Sequence, residues 1–199
     1  DQVNTGINAV ESFLSGETGL KHDASDGTLA FSDLVSGMSK MGDRAMSSVR
    51  AWVIHSKPWF DLLAAAGTTA NAPANEVANE ALQFGRVPGI NRPFVVTDAA
   101  GLYLDATTDL YYTLGLVEGG LVIEESEEPR VLIRVEGGLE NLTLLMQFEF
   151  AYNITVKGAQ WDTTNGGLNP NDAAIALNTN WDAVVADDKD KAGVYIHSQ

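Results

Sequence analysis

The segment LTLLMQFEFAYNITV, from Leu142 to Val156, decides the fold. Every second residue in it is apolar, and most residues between them are polar, such as Thr143, Gln147 and Asn153. A period of two is typical of a β-strand that buries one face, so the segment predicts one long strand. The apolar set comprises Leu142, Leu144, Met146, Phe148, Phe150, Tyr152, Ile154 and Val156. Because burial of each such side chain contributes about 1.5 to 3 kcal/mol before opposing terms, we expect this strand to be the structural spine of the core.

The composition is that of a globular protein with a strong acidic excess. The 199 residues carry 27 acidic and 12 basic side chains, a formal net charge of -15, and no cysteine. This balance repels nucleic-acid phosphates and anionic lipids, and no apolar stretch approaches the ~20 residues that cross a bilayer. We therefore expect no specific nucleic-acid or membrane partner, no disulfide and no thiolate metal site. The start at Asp1 rather than Met predicts proteolytic processing or a fragment.

Hydrophobic spacing and turn residues predict short helices and strands around this segment. The N-terminal half predicts a helix over 3–14, a polar linker over 16–27, a helix over 34–41 capped by Ser32, a strand over 49–54, a helix beginning at Ser56-Lys57-Pro58 and a helix over 75–84. The C-terminal half predicts strands over 92–98, 110–116, 121–125 and 131–135, with turns at 118–120 and 127–129. We expect the Asn- and Asp-rich tail to wrap over a surface, and its charged run at 187–191 to face water.

The residues that could support catalysis are few. His55 precedes Ser56, which could place a base beside a nucleophile, but adjacent residues rarely point the same way, and we favour a helix cap. Asp98, Asp105 and Asp109 could hold a hard cation such as calcium or magnesium, although loop carboxylates in an acidic protein are usually solvated. We find no phosphate-binding, nucleophile-elbow or zinc-protease motif, and we assign no catalytic, cofactor-binding or metal-binding residue.

Three motifs in a fixed order resemble a known family. They are RAWVIHSKPWFDL at 50–62, GINRPFVVTD at 89–98, and the long strand ending in VKGAQW at 156–161. Together they resemble the C-terminal two thirds of a tailed-bacteriophage major capsid protein with the Hong Kong 97-type fold. The resemblance covers residues 31–161. Family members carry an N-terminal arm, an extended loop and a spine helix before this region, so the resemblance implies that the chain is part of a subunit.

The resemblance implies an α+β fold in which short helices flank a mixed sheet. It implies an N-terminal segment at 1–30 that links to the peripheral domain, an axial domain at 31–141, a return strand of the peripheral domain at 142–161 and a C-terminal tail at 162–199. The family has no catalytic signature and no cofactor. No cross-linking residue is carried over to this chain.

The resemblance also implies a structural function in the virion. The chain would assemble with copies of itself, in the host cytoplasm, into pentamers and hexamers of an icosahedral shell that encloses double-stranded DNA. Portal, decoration or other capsid proteins are further expected partners. Gln147 and Asn153 belong to the alternate, mostly polar residues of the long strand, and we regard them as candidate intersubunit contacts. The alternative is a small α+β binding module or metal-dependent hydrolase that uses Asp98, Asp105, Asp109 and His55.

Overall fold

A computed structural model describes residues 2–44, 48–68, 92–137 and 142–199. The helices are α1 (Gln2–Ser15), α2 (Phe31–Ser39), α3 (Ser56–Thr68), α4 (Thr163–Gly166) and α5 (Asp172–Ile175). The strands are β1 (Lys21–Ala24), β2 (Val49–Ile54), β3 (Phe94–Val96), β4 (Tyr103–Leu104), β5 (Leu110–Val117), β6 (Leu121–Gly137), β7 (Leu142–Val156), β8 (Ala159–Trp161), β9 (Trp181–Ala183) and β10 (Gly193–Ser198). The predicted helix over 75–84 lies outside the described residues. The α+β class is confirmed.

A mixed six-stranded sheet forms the centre of the molecule. Its strand order is β1-β10-β5-β2-β3, and β4 adds to β5. The β1/β10 and β2/β3 pairs are parallel, whereas β5 runs antiparallel to β10, β2 and β4. The predicted mixed sheet with short helices is therefore confirmed.

Three strands of this sheet, β1, β4 and β10, come from segments that we did not predict as strands. The linker at 16–27 contains β1, and the tail ends in β10, which lies between β1 and β5. Val194 and Ile196 of β10 are completely buried, so the expectation that the tail only wraps over a surface is wrong. A six-residue strand with apolar residues on both faces has no clear period of two, which hides it from pattern analysis.

Helices cover both faces of the central sheet. On one face α2 packs closely on β10, and a Cβ added at Gly37 would lie 2.5 Å from Ile196 Cδ1. On the other face α1 packs against Tyr195, whose hydroxyl donates a 3.3 Å hydrogen bond to Glu11. The largest completely enclosed side chains include Leu14, Leu20, Leu34, Met41, Trp52, Ile54, Leu102 and Leu114. The core is thus a helix-sheet-helix sandwich.

Glu11 is an ionisable group held inside this sandwich. Burial raises the pKa of its carboxyl to about 7, although the Tyr195 hydroxyl and the Lys21 ammonium act in the opposite direction. The same burial, together with the Glu11 charge, raises the pKa of Tyr195. The α1 layer therefore contains a carboxyl whose protonation changes near neutral pH.

Two local predictions need correction. Helix α2 begins at Phe31, one residue before the predicted cap Ser32, and its first turn is closed by Asp33, whose side chain accepts a 2.8 Å hydrogen bond from the Ala30 N–H. The charged run at 187–191 does not lie wholly in water, because the Lys191 side chain is only 6% exposed. Its ammonium group lies 2.6 Å from Glu17, which ties the tail to the N-terminal segment.

Within the part of the chain that the structure describes, the long strand β7 pairs only with β6, and the two form an antiparallel hairpin, here called the arm. The pairing runs from Leu121 opposite Val156 to Gly137 opposite Leu142. Register shifts between Glu125 and residue 130 show β-bulges on β6, so the predicted turn at 127–129 is wrong. Proline cannot donate to a ladder, and a bulge is one of the few strand positions that accept it, which explains how Pro129 is accommodated.

Candidate assembly surface

Two residues of the hydrolase alternative, His55 and Asp98, lie together at the start of α3. Asp98 Oδ1 lies 3.4 Å from His55 Nε2 and accepts a 3.2 Å hydrogen bond from the Ser56 N–H. The hydroxyl and N–H of Ser56 hold the pKa of Asp98 below its ordinary value. The other His55 ring nitrogen, Nδ1, accepts a 3.2 Å hydrogen bond from the Lys57 N–H.

This cluster caps a helix. Ser56 is the first helical residue rather than the cap, and Asp98 supplies the capping oxygen from the segment after β3. The Ser56 hydroxyl is directed to Asp98 and not to His55, so the nucleophile and base of a hydrolase are not paired. An acceptor at the helix start satisfies N–H groups that lack partners within the helix.

The other two aspartates do not join Asp98. Asp109 accepts a 3.0 Å hydrogen bond from the Tyr103 hydroxyl, which raises the pKa of Tyr103 to about 12, and Asp105 is exposed nearby. Across the described parts of the chain, no group of three or more carboxylate and imidazole side chains is placed to bind a metal ion. In the same residues, no helix combines the length and apolarity needed to cross a bilayer.

The arm carries the largest uncovered apolar surface in the described chain. Cross-strand pairing places the alternate apolar residues of β7 on the same side as those of β6. Between 50% and 80% of each side chain in the outer part of this face is exposed. The face consists of Val131, Ile133, Val135, Leu142, Leu144, Met146, Phe148 and Phe150. Contiguous apolar surface of this kind marks an interaction site in a soluble protein.

The predicted strand is therefore confirmed, but its predicted burial is wrong. Among the described residues only the base of the apolar face is covered, where α1 crosses β6 and a Cβ added at Gly6 would lie 2.8 Å from Ile123 Cδ1. Val156 is buried there, whereas Phe148 is 65% exposed. A period of two shows that one face needs a partner, and it does not show whether that partner belongs to the same molecule.

The opposite face of the arm is mostly polar. Gln147 lies opposite Leu132, and Asn153 lies opposite Glu124, both as exposed residues. The two candidate contact residues thus share one face and are separated by about 20 Å along the strand. Leu132 and Leu145 interrupt the polar pattern on this side.

A groove lies where the arm meets the tail. It has a volume of about 680 Å³ and is lined by residues 149–155 of β7 and, on the other side, by Trp161, Leu168, Pro170 and Trp181. The two tryptophan rings meet edge to face with centroids 4.9 Å apart. We did not predict this groove, and the only sequence signal for it was the aromatic and apolar content of the tail.

An α+β body with an unpartnered apolar arm, and with its histidine and aspartate used to cap a helix, is typical of a structural protein that assembles. Comparison with protein families identifies which class of structural protein this is. The chain matches the Gp13-like family, described as major capsid protein 13-like, over residues 1–195, and it belongs to that family. Comparison with curated protein sequences finds no significant match. Membership implies a structural protein of a bacteriophage virion, located in the capsid, where copies of the chain associate.

Proposed function

We propose that the chain is a shell-forming subunit that assembles through its arm into pentamers and hexamers of an icosahedral capsid. The observation that carries this proposal is the apolar face of the arm, which is uncovered over its outer part. A two-stranded element with an exposed apolar face gains stability when a partner covers that face. Contacts between different patches on neighbouring subunits close into rings when the rotation between subunits is suitable.

The fold assignment within this proposal is the Hong Kong 97-type. Its support is the order of elements: β2 leads into α3 through one residue, His55, and β3 then pairs with β2. We assign residues 31–141 to the axial domain, 1–30 to a segment that leads to the peripheral domain, 142–161 to the return strand and 162–199 to the tail. Strands β1 and β10 from the flanking segments complete the axial sheet in this assignment.

The charge of the chain fits a shell that encloses double-stranded DNA without binding it. A net charge of -15 opposes contact with phosphates over the whole surface. Assembly in the host cytoplasm, with portal or decoration proteins as further partners, belongs to the same proposal. Gln147 and Asn153 are assigned to intersubunit contact, because both are exposed on the polar face of the arm.

The test compares two phenylalanines of equal exposure. Phe148 on the arm is 65% exposed, and Phe60 on α3 is 64% exposed. For a side chain of about 200 Å², covering this fraction stabilises an interface by about 3 kcal/mol at ~25 cal/mol per Å². Phe148→Asp should therefore stay soluble and folded yet lose particles, whereas Phe60→Asp should retain them.

Electron microscopy and light scattering measure particle formation by the wild type and both variants, and circular dichroism measures whether each protein is folded. Particles in all three preparations would show that the arm is not the assembly surface. Solely monomeric wild-type protein under all assembly conditions would contradict the shell proposal itself. An insoluble, misfolded Phe148→Asp protein would contradict the exposed position of the arm face.

A further inference from the structure

The groove beside β7 follows that strand, and one residue of the paired strand β6, Glu127, also lines it. Seven consecutive residues, 149–155, line it. Successive side chains of a strand point to opposite sides of the sheet, so a cavity lined by all seven residues includes the edge of the strand as well as part of one face. The seven residues extend over about 23 Å at ~3.3 Å per residue.

The backbone of β7 is free to pair on this side. The Lys157 N–H donates a 3.1 Å hydrogen bond to the Gly120 carbonyl, which sets the alternation of the ladder. Thr155 and Asn153 then bond to β6, and the N–H and C=O groups of Ile154 and Tyr152 point away from β6, into the groove. Within the described residues β7 pairs with β6 only. Such an edge is a template for an added strand.

The far wall of the groove is rigid and mostly apolar. The Trp161 indole N–H donates a 2.8 Å hydrogen bond to the Gly167 carbonyl, and the Trp181 indole N–H donates a 2.9 Å hydrogen bond to the Ile175 carbonyl. These hydrogen bonds hold the two indole rings in place along one side of the groove. Leu168, 92% exposed, stands on the same wall without cover. The charged side chains that line the groove are Glu127 and Glu149, both acidic.

One extended segment of the chain matches this groove in length, polarity and charge. Residues 130–136 of β6 also number seven, their outer edge is unpaired in the described chain, and Val131, Ile133 and Val135 are half exposed or more. Arg130 and Arg134 outnumber Glu136, so the segment carries a net positive charge, opposite to that of the two glutamates of the groove. Each arginine holds an exposed carboxylate of its own strand, at 3.5 and 3.6 Å, and surface pairs of this kind are weak enough to exchange.

The segment and the groove of one chain cannot meet. The ladder with β7 keeps residues 130–136 in the outer half of the arm, and residues 149–155 lie at its base. We infer that the groove of each chain receives residues 130–136 of a second copy, which add as a strand to the free edge of β7. This inference rests on the proposed function in requiring that copies associate, and it names the two surfaces that meet.

The pairing is head to tail. Each chain offers one groove and one segment, so every copy contacts two neighbours, and the contact generates rings or open strings. The added strand places its apolar side chains against Trp161, Leu168 and Trp181, and it covers two uncovered surfaces of the chain at once. An acidic groove also disfavours segments rich in carboxylates, which are the commoner kind in this chain.

Crosslinking tests the contact directly, because the chain has no cysteine of its own. One preparation of the 199-residue chain carries Leu168→Cys on the groove wall, and a second carries Ile133→Cys on the apolar face of the arm. A short bismaleimide should join them into a heterodimer at least about tenfold more efficiently than it joins Leu168→Cys to a control chain with Phe60→Cys on α3. Equal yields from the two mixtures would overturn the inference.

A proline variant tests the backbone pairing. The Tyr152 N–H points into the groove, so Tyr152→Pro removes a donor to the added strand and leaves the ladder with β6 intact. Tyr152→Ala is the matched control, since it also loses the ring but keeps the N–H. We expect association measured by sedimentation to weaken about tenfold in the proline variant relative to the alanine variant.

The outcomes separate the two proposals. Shells formed equally well by Tyr152→Pro and Tyr152→Ala would overturn the groove assignment and leave the shell function standing. Groove crosslinks without rings or shells in the wild type would support the groove and contradict the shell. If Tyr152→Pro fails to fold by circular dichroism, the cysteine pairs decide the inference alone.

Discussion

The buried carboxyl of Glu11 makes the stability of this protein depend on pH in a direction that can be calculated. The group lies between α1 and the central sheet, where it is faced by Tyr195 of β10, Tyr112 of β5 and Lys21 of β1. Burial raises the pKa of Glu11 from 4.5 to about 7. Substitution of Glu11 by Gln removes the titration and keeps a side chain that can accept the hydrogen bond from Tyr195.

The direction in which stability changes with pH follows from the raised pKa of Glu11. A group whose pKa is higher in the folded state contributes stability that is fully present below the unfolded pKa of 4.5 and is lost as the pH rises through about 7. A shift of about 2.5 units corresponds to about 3 kcal/mol at 1.36 kcal/mol per unit. The wild type should lose about this much free energy of unfolding, relative to Glu11→Gln, between about pH 4.5 and pH 8.

Urea unfolding of both proteins across this range measures the effect. His197 has an opposite trend, because burial lowers its pKa, so its contribution is present above its unfolded pKa of 6.5 and is lost as the pH falls below that value through its lower folded pKa. Since both proteins contain His197, that trend cancels in their difference. A difference in unfolding free energy that stays constant from about pH 4.5 to pH 8 would refute the buried position of Glu11.

Three further substitutions test the fold. Gly193→Ala would place a Cβ 2.0 Å from the Gly115 carbonyl oxygen, so thermal unfolding should show a loss of at least ~3 kcal/mol or no folded protein. Lys191→Ala leaves Glu17 without its ammonium partner, and denaturant unfolding should show a loss of about 2 to 3 kcal/mol, less than for a fully buried pair. Asp98→Ala removes the cap of α3 and should lower the melting temperature in calorimetry while leaving the oligomeric state unchanged; loss of assembly at unchanged stability would assign Asp98 to an interface.

Local sequence patterns were sufficient to predict a helix or strand wherever the residues of one face of that element share the same character. The period of two over Leu142–Val156 predicted β7 with its correct bounds, and helical spacing predicted α1 to within one residue at each end. The strand at 49–54 and the turn at 118–120 were likewise confirmed. These features depend on backbone geometry and on side chains a few residues apart, which the order of residues records directly.

The capsid role was also accessible from the amino-acid sequence, through the order of motifs that led to the family. The sequence predicted only part of the surface that supports assembly. Alternation in 131–135 and in β7 indicated which side chains share a face, and the pairing of β6 with β7 confirmed that they do. The groove gave no local signal, because Trp161 and Trp181 of its far wall are 20 residues apart in the chain.

The amino-acid sequence by itself determined the positions of α1, β2 and β7, which residues of the arm are apolar, and that the chain is strongly acidic. The tertiary structure decided that β10 is a central strand, that Asp98 caps a helix forty-two residues earlier, and that the face of Phe148 stays exposed. The physical reason is that hydrophobic burial has no direction along the chain. An apolar face requires cover, and only the arrangement of all the elements determines whether the same chain or a neighbour provides it.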